Sequence, residues 1–272
     1  MKKKLLILAV ALGAVIGVAA VMIYCVTDPA EPIYEGRPLS YWLIKGFIPG
    51  EGNYDTDHQK AQAAMAHYGT NAVPTLLRML RANDSAFKLK VIDVAGKLRL
   101  IRQRPMPAAT RNLAAGEAFR ELRSSGKYFV PELARIFTEK ISRESQAGVL
   151  SALYCIGPDA QAATPALIRW LTNADDGIRN RTIQTLGCIR PAPEVAVPAL
   201  TNSVNDSFLC ARLSALNVLA GYGAGARPAL PVLTNALNDP SSHIRRAADA
   251  AIKEIDGATY ARLLAEGKVP QR

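Results

Sequence analysis

One short segment, Ala163–Leu171, recurs along the chain with a proline at the same place in each copy. The recurring prolines are Pro74, Pro131, Pro165, Pro198 and Pro231, so consecutive copies are 57, 34, 33 and 33 residues apart. A fixed period of this size is typical of stacked-repeat proteins, in which each unit packs only on its neighbours. Apolar residues follow each proline at the spacing of one buried helix face. The period therefore predicts an all-α superhelix of stacked helix pairs, a solenoid.

Each unit continues with a polar turn and a second helix that is rich in small residues. The turn aspartates Asp175, Asp206 and Asp239 precede that helix, where a carboxylate accepts backbone N–H bonds and meets the positive end of the helix dipole. Within the second helix, arginine recurs at 33-residue spacing, as Arg179, Arg212 and Arg245. We predict that these arginines pair with the turn carboxylates and tie successive units together. Their predicted role is structural.

The combination of a proline-led helix, an Asp turn, an apolar residue before Arg and a small-residue helix resembles the HEAT repeat. The resemblance covers residues 38–272. The chain is also similar to membrane-anchored HEAT-repeat proteins of unknown role from Verrucomicrobia and related bacteria, in which a Tyr-x-Gly-x-x-Leu-x-x-Trp-Leu segment precedes the array. Here that segment is Tyr34–Leu43. The resemblance implies an armadillo-type fold and a scaffold that binds a protein partner.

The amino-terminal end contains a segment that is long enough to cross a membrane. Residues 1–4 are basic, and the 22 residues 5–26 carry no charge, which suffices for a hydrocarbon core of about 30 Å. The lysines predict a cytoplasmic amino terminus, so the array would lie on the outer side of a bacterial cell membrane. We interpret residues 27–37 as a linker. The alternative is a signal peptide that is cleaved, which would release a secreted or periplasmic array.

Small residues also recur within the predicted membrane helix. Gly13 and Gly17 lie four residues apart, on one helix face, and small residues at this spacing let two membrane helices approach closely. A dimer through this face is therefore a further hypothesis. The alternative is that glycine is simply common in apolar spans.

The repeat fails between Pro74 and Pro131, where the spacing exceeds one period by too few residues for a full helix pair. We predict an irregular unit at about residues 97–124, with a basic connector in place of its first helix. The connector carries the candidate partner- or anion-binding residues Lys97, Arg99, Arg102 and Arg104. Loops that interrupt a scaffold often carry function. The alternative is an ordinary solvated loop.

Catalytic motifs do not accompany the repeat. The three histidines, His58, His67 and His243, lie far from one another in sequence and from any cysteine, so we predict neither an enzyme nor a metal or other cofactor. The formal net charge of +10 permits an anionic partner, but no Lys/Arg cluster after residue 4 matches a nucleic-acid motif. We therefore predict a membrane-tethered scaffold that binds a protein. The alternatives are a HEAT-like-family enzyme of the bilin-lyase or hydroxylase type, or binding of an anionic lipid or nucleic acid through the basic connector.

Overall fold

The computed structural model describes residues 31–48, 54–99 and 106–268, and the chain divides into two compact units. The first unit is Met1–Ala114 and the second is Ala115–Arg272. Within the described residues, no helix is long and apolar enough to cross a membrane. The predicted anchor at residues 5–26, with its glycine pair, lies outside the described residues.

The first unit opens with a two-stranded antiparallel hairpin. Strand β1 is Ile33–Tyr34 and strand β2 is Arg37–Pro38. Both turn residues, Glu35 and Gly36, have positive φ (44° and 71°), which is the requirement of the two-residue turn that matches the natural twist of a hairpin. The linker was predicted at residues 27–37. Its last five residues, 33–37, are part of this hairpin.

The hairpin is fixed to the first helices by side chains of the Tyr34–Leu43 segment and beyond. Trp42 donates its indole N–H to the carbonyl oxygen of Tyr34 (2.7 Å), and Tyr68 donates its hydroxyl to the carbonyl oxygen of Ile33 (2.8 Å). Leu39 and Leu43 are fully buried. In this segment Gly36 forms the turn, the leucines pack in the core, and Trp42 holds the hairpin to α1 through its hydrogen bond.

The described helices of the first unit follow the hairpin, with a 3-10 segment at Gly69–Ala72. They are α1 (Leu39–Phe47), α2 (Tyr54–Tyr68), α3 (Val73–Leu80), α4 (Ala86–Lys97) and α5 (Ala108–Ala118), and the last of them crosses the boundary between the units.

The second unit continues as first and second helices that alternate along the chain. The first helices are α6 (Val130–Thr138), α8 (Thr164–Trp170), α10 (Pro193–Ser203) and α12 (Leu230–Ala236). The second helices are α7 (Arg143–Ile156), α9 (Asp176–Ile189), α11 (Leu209–Gly221) and α13 (Ser242–Ile255). A last helix, α14, spans Gly257–Ala265. Because α7, α9, α11 and α13 pack in succession on one another, the second unit is an all-α solenoid.

The recurring proline occupies the first turn of four of the five helices that contain it. In α3, α6, α8 and α12 a 3-10 segment precedes the helix, and Pro74, Pro131, Pro165 and Pro231 take its first positions. The absent N–H of proline is tolerated there, because the first N–H groups of an α-helix have no acceptor within that helix. Pro198 differs, since α10 begins earlier, at Pro193, and includes Pro198 in its interior.

The irregular unit is anchored through buried polar groups of the first unit. Asn112 of α5 is fully buried, and its side-chain amide donates to the carbonyl oxygens of Met79 (2.7 Å) and Leu80 (2.9 Å) at the end of α3. Asp84 accepts the backbone N–H of Ala108 at 2.6 Å. The Asp84 carboxylate supplies an acceptor for an N–H at the start of α5, and the Asn112 amide holds α5 against the end of α3. Helix α5 ends at Ala118, and the chain continues as a 3-10 segment, Phe119–Phe129.

Glycine allows the second helices to approach one another closely. A Cβ atom on Gly116 of α5 would lie 2.5 Å from the carbonyl oxygen of Gly148 in α7. A Cβ atom on Gly187 of α9 would lie 2.6 Å from a methyl carbon of Val218 in α11. Both distances are shorter than van der Waals contact allows, so a larger residue at Gly116 would displace the backbone of α7, and one at Gly187 would displace the Val218 side chain.

Gly116→Ala should therefore destabilise the second unit by about 1–3 kcal/mol, the usual cost of overpacking. Gly257→Ala is the matched control, because a Cβ atom at Gly257 would meet nothing within 4 Å. Urea unfolding monitored by circular dichroism measures both. A Gly116→Ala protein as stable as the Gly257→Ala protein would show that the contact between α5 and α7 is not tight.

Candidate functional site

The polar turns of the last three repeats share one local geometry. Asn173, Asp206 and Asp239 each accept, through side-chain Oδ1, the backbone N–H of the residue two positions later, at 2.8–2.9 Å. This is an Asx turn, in which a short polar side chain substitutes for a backbone acceptor. The structural equivalent of Asp206 and Asp239 is thus Asn173. Asp175 has a different position, because it is the N-cap of α9 and accepts from the N–H of Ile178.

The recurring arginines bind the turns of their own repeats. Arg179, Arg212 and Arg245 each donate through Nη1 to two consecutive turn carbonyl oxygens, the first at 2.8–2.9 Å. These interactions close each turn against the helix that follows it.

Two of the arginines also reach the aspartate of the next repeat. Arg179 makes a bidentate pair with Asp206, with Nε–Oδ2 at 2.7 Å and Nη2–Oδ1 at 2.8 Å. Arg212 is paired with Asp239 at 3.3 Å. The Arg179 and Asp206 side chains are only 13% and 10% exposed, so water screens this pair weakly. The guanidinium hydrogen bonds lower the pKa of Asp206, and the carboxylate raises the pKa of Arg179.

One repeat earlier the tie is made from a different position. Gln146 occupies the arginine position of α7, and Arg143, almost one helical turn before it, pairs with Asp175 at 2.7 Å. Arg143 is 60% exposed. The pair also lowers the pKa of Asp175. An ion pair therefore connects these two repeats as well, but it is more exposed to water than the Arg179–Asp206 pair.

Of the four residues of the basic connector, Lys97 and Arg99 are described, and both are exposed. Lys97 pairs with Asp93 of the same helix at 2.7 Å. Arg99 follows the end of α4 with a positive φ of 56°. Arg102 and Arg104 lie outside the described residues. Whether the four form one binding patch stays a prediction.

The structure places a surface groove across three second helices of the solenoid. Its larger part has a volume of about 740 Å³ and a smaller part, of about 170 Å³, adjoins it. Tyr154 of α7 and Gln184 of α9 line both parts, so the two parts meet at these side chains. Asn217 and Tyr222 line the larger part on the side of α11. This groove, the α7–α9–α11 groove, is the candidate functional site.

Polar side chains recur along the groove at the period of the repeat. Ser151, Gln184 and Asn217 lie 33 residues apart, on equivalent positions of α7, α9 and α11. Gln184 and Asn217 are exposed, whereas Ser151 is buried. Their hydroxyl and amide groups both donate and accept hydrogen bonds. Such a row suits the backbone of an extended polypeptide, which presents both kinds of group.

Aromatic and basic side chains complete the groove. Tyr154 is 48% exposed, and Tyr222 donates its hydroxyl to the carbonyl oxygen of Pro191 at 3.1 Å, with its pKa raised by burial.

Charged side chains also line the groove. Arg181 lines the smaller part, and Arg190 lines the larger part. Arg190 ends α9 in the left-handed conformation and donates to the carbonyl oxygen of Gly221. Glu117 lines the smaller part, so the groove carries both charges with an excess of positive charge.

The cysteines beside the groove are poor nucleophiles. Burial, reinforced by the negative charge of Glu117, raises the pKa of the Cys155 thiol to about 11. Burial also raises the pKa of Cys188, which donates its S–H to the carbonyl oxygen of Tyr154. Since the thiolate is the reactive form, both groups are protonated at neutral pH. The part of the chain that the structure describes contains no group of three or more His, Cys, Asp or Glu residues placed to hold a metal ion.

Sequence reasoning had not identified the groove residues Tyr154, Gln184 and Asn217. The sequence does contain a pattern that marks part of the groove, because Ser151, Gln184 and Asn217 recur at the same 33-residue period as the prolines. Polar residues on the second helices are informative only when the exposed face of those helices is known. The structure supplies that face.

No family model matches the chain, and no curated protein matches it. Among solved structures it is similar to the designed armadillo repeat protein YIII(Dq.V1)4CPAF in complex with the peptide (KR)4, at 15% identity and a TM-score of 0.49, over 80% of this chain and 99% of that one. An engineered protein, Northeast Structural Genomics Consortium target OR329, is 19% identical with a TM-score of 0.45, over 80% and 96%. The designed armadillo repeat protein YIII(Dq)4CqI is 15% identical with a TM-score of 0.43, over 80% and 100%.

The two kinds of arginine tie should differ in strength. We expect Arg179→Ala to destabilise the second unit by about 2–4 kcal/mol, because it leaves a largely buried carboxylate and two turn carbonyls without their donor. Arg143→Ala is the matched variant and should cost less than about 1 kcal/mol, since its pair is exposed. Urea unfolding at neutral pH measures both. Equal losses would contradict the account of the ties.

The Arg179–Asp206 tie should also depend on pH. Because the pKa of Asp206 is lower in the folded chain, its ion pair contributes its full stability above the ordinary aspartate value of about 3.9 and loses it as the pH falls through the folded pKa. Asp206→Asn removes the charge but keeps the Asx turn, as Asn173 shows. The difference in unfolding free energy between wild type and Asp206→Asn should be largest at neutral pH and shrink in acid. A difference in unfolding free energy that does not change with pH would show that the charge of Asp206 does not contribute to stability.

Proposed function

We propose that the chain is a membrane-tethered HEAT-type scaffold that binds an extended segment of a protein partner in the α7–α9–α11 groove. The observation that carries the proposal is the groove itself, about 740 Å³ in its larger part, with equivalent polar positions on successive helices. A repeat scaffold of this kind offers an elongated binding surface, and an extended polypeptide has a complementary shape.

The chemistry of the groove supports a peptide rather than a compact ligand. Gln184 and Asn217 provide donors and acceptors for a peptide backbone, and Tyr154 provides an exposed aromatic surface for an apolar side chain of the partner. Arg181 and Arg190 favour carboxylates in the partner segment. The thiols of Cys155 and Cys188 are protonated at neutral pH, which supports a binding role over thiol chemistry.

The tether is supported by sequence. Residues 5–26 carry no charge and follow three lysines, a pattern typical of a signal anchor with the amino terminus in the cytoplasm. On this proposal the array lies outside the cytoplasmic membrane and meets partners of the cell envelope.

Photo-crosslinking in the native cell tests the groove. A photoreactive amino acid is placed at Tyr154 or Asn217 of the full chain, and at Val195 of α10 as control, because Val195 is 48% exposed but outside the groove. Both groove positions should give the same covalent adduct, and Val195 should not. Mass spectrometry then locates the crosslinked segment of the partner.

The crosslinked segment, made as a synthetic peptide, should bind the full chain in nanodiscs. Tyr154→Ala should weaken its Kd at least about tenfold, the effect of losing a central aromatic anchor. Val195→Ala should leave the Kd unchanged. An adduct that forms equally at Val195, or a peptide that binds the Tyr154→Ala protein as tightly as wild type, would refute binding in the groove.

A further inference from the structure

Helix α4 exposes a stripe of apolar side chains. Phe87 and Val94, together with Leu98 at the end of the helix, are 62%, 49% and 61% exposed, and at 100° per residue they lie within about 40° of one another around the helix axis. Val91, which is partly exposed, lies on the same side. Only two side chains of α4, Ile92 and Ala95, are buried. The helix therefore holds to its unit by a narrow face and presents the stripe to solvent.

Basic side chains border this stripe. Lys90 and Lys97 lie about 40–80° from Val94 and Phe87 on one flank, and both are exposed. Arg99, two residues beyond the end of the helix, is also exposed. The helix contains three lysines against one aspartate, Asp93. Apolar and cationic groups thus occupy adjacent parts of one surface.

We propose that α4 lies in the headgroup region of an anionic phospholipid bilayer, with Phe87, Val94 and Leu98 inserted and Lys90, Lys97 and Arg99 at the phosphates. The chemistry is that of an interfacial amphipathic helix, which buries its apolar face at the acyl boundary while long basic side chains extend to the headgroups. With 12 residues, α4 is too short to span a membrane, for which about 20 are needed. It can only lie along the surface.

Charge and shape together favour lipid over other partners. A nucleic acid would engage the cations but leave Phe87 and Leu98 in water. A protein groove would cover the stripe but would not require cations along its flank. An anionic bilayer matches both, since it offers an apolar layer directly beneath a layer of negative charge. This proposal concerns α4 of the first unit and does not rest on the α7–α9–α11 groove.

Tryptophan fluorescence with brominated lipid tests the docking. Full-length protein with Phe87→Trp is reconstituted into vesicles of brominated phosphatidylcholine, with or without phosphatidylglycerol. The native Trp42 and Trp170 are buried and give a constant background. Leu264→Trp is the control, because Leu264 is 49% exposed on α14. Phe87→Trp should be quenched more than Leu264→Trp, and more strongly when phosphatidylglycerol is present.

A second variant separates charge from apolar insertion. Adding Lys90→Gln and Lys97→Gln to Phe87→Trp should lower the ratio of docked to undocked helix roughly tenfold in the anionic vesicles, while circular dichroism shows whether the fold is kept. Phe87→Trp quenched no more than Leu264→Trp would overturn the proposal. Quenching that is identical in neutral and anionic vesicles would also overturn it, because the lysines would then have no role. A Phe87→Trp emission already blue-shifted in lipid-free detergent solution, with no quenching, would show that protein covers the stripe instead.

Discussion

The close approach of successive second helices is the constraint on which the solenoid depends. Gly116 meets the backbone of Gly148, and Gly187 meets Val218, at distances that leave no room for a Cβ atom. In the later helices α11 and α13, small residues such as Ala215 and Ala248 are fully buried. Because α7, α9 and α11 pack on one another, with a glycine at the contact between α9 and α11, their outward side chains line one groove rather than three separate ridges. The binding surface proposed for the chain is a consequence of this packing.

Ion pairs between arginines and turn aspartates also connect successive repeats. Arg179 binds the turn of its own repeat through Nη1 and the next repeat's Asp206 through Nε and Nη2. One planar guanidinium thus binds both its own turn and the next repeat, which a lysine could not do with a single point charge. In the preceding repeat the more exposed pair of Arg143 and Asp175 takes the place of this arrangement. Successive repeats therefore stack there with a weaker ion pair between them. Stacking is governed first by the helix contacts and then by the ties.

The sequence predicted the architecture well and the site poorly. Period and proline position predict helix pairs because both depend on local chemistry, such as the absent N–H of Pro165 in a first turn. The hairpin at Ile33–Pro38 was missed, because a Glu-Gly turn between two-residue strands gives almost no periodic signal. The grouping of Asp175 with Asp206 and Asp239 was wrong in register, because the equivalent turn residue is Asn173, which forms the same Asx turn without a charge. The groove could not be predicted, since exposure on a stacked helix depends on neighbours 33 residues away.

The central claim is that the second helices hold one extended segment along the groove. It is tested most directly by mapping photo-crosslinks from Tyr154, Gln184 and Asn217, one position on each helix, onto the sequence of the captured partner. Helices pack about 8–10 Å apart and an extended chain advances about 3.3 Å per residue. The account therefore predicts three crosslink sites in order along one stretch, about three residues apart. Sites scattered over the partner, or all three at one residue, would contradict it.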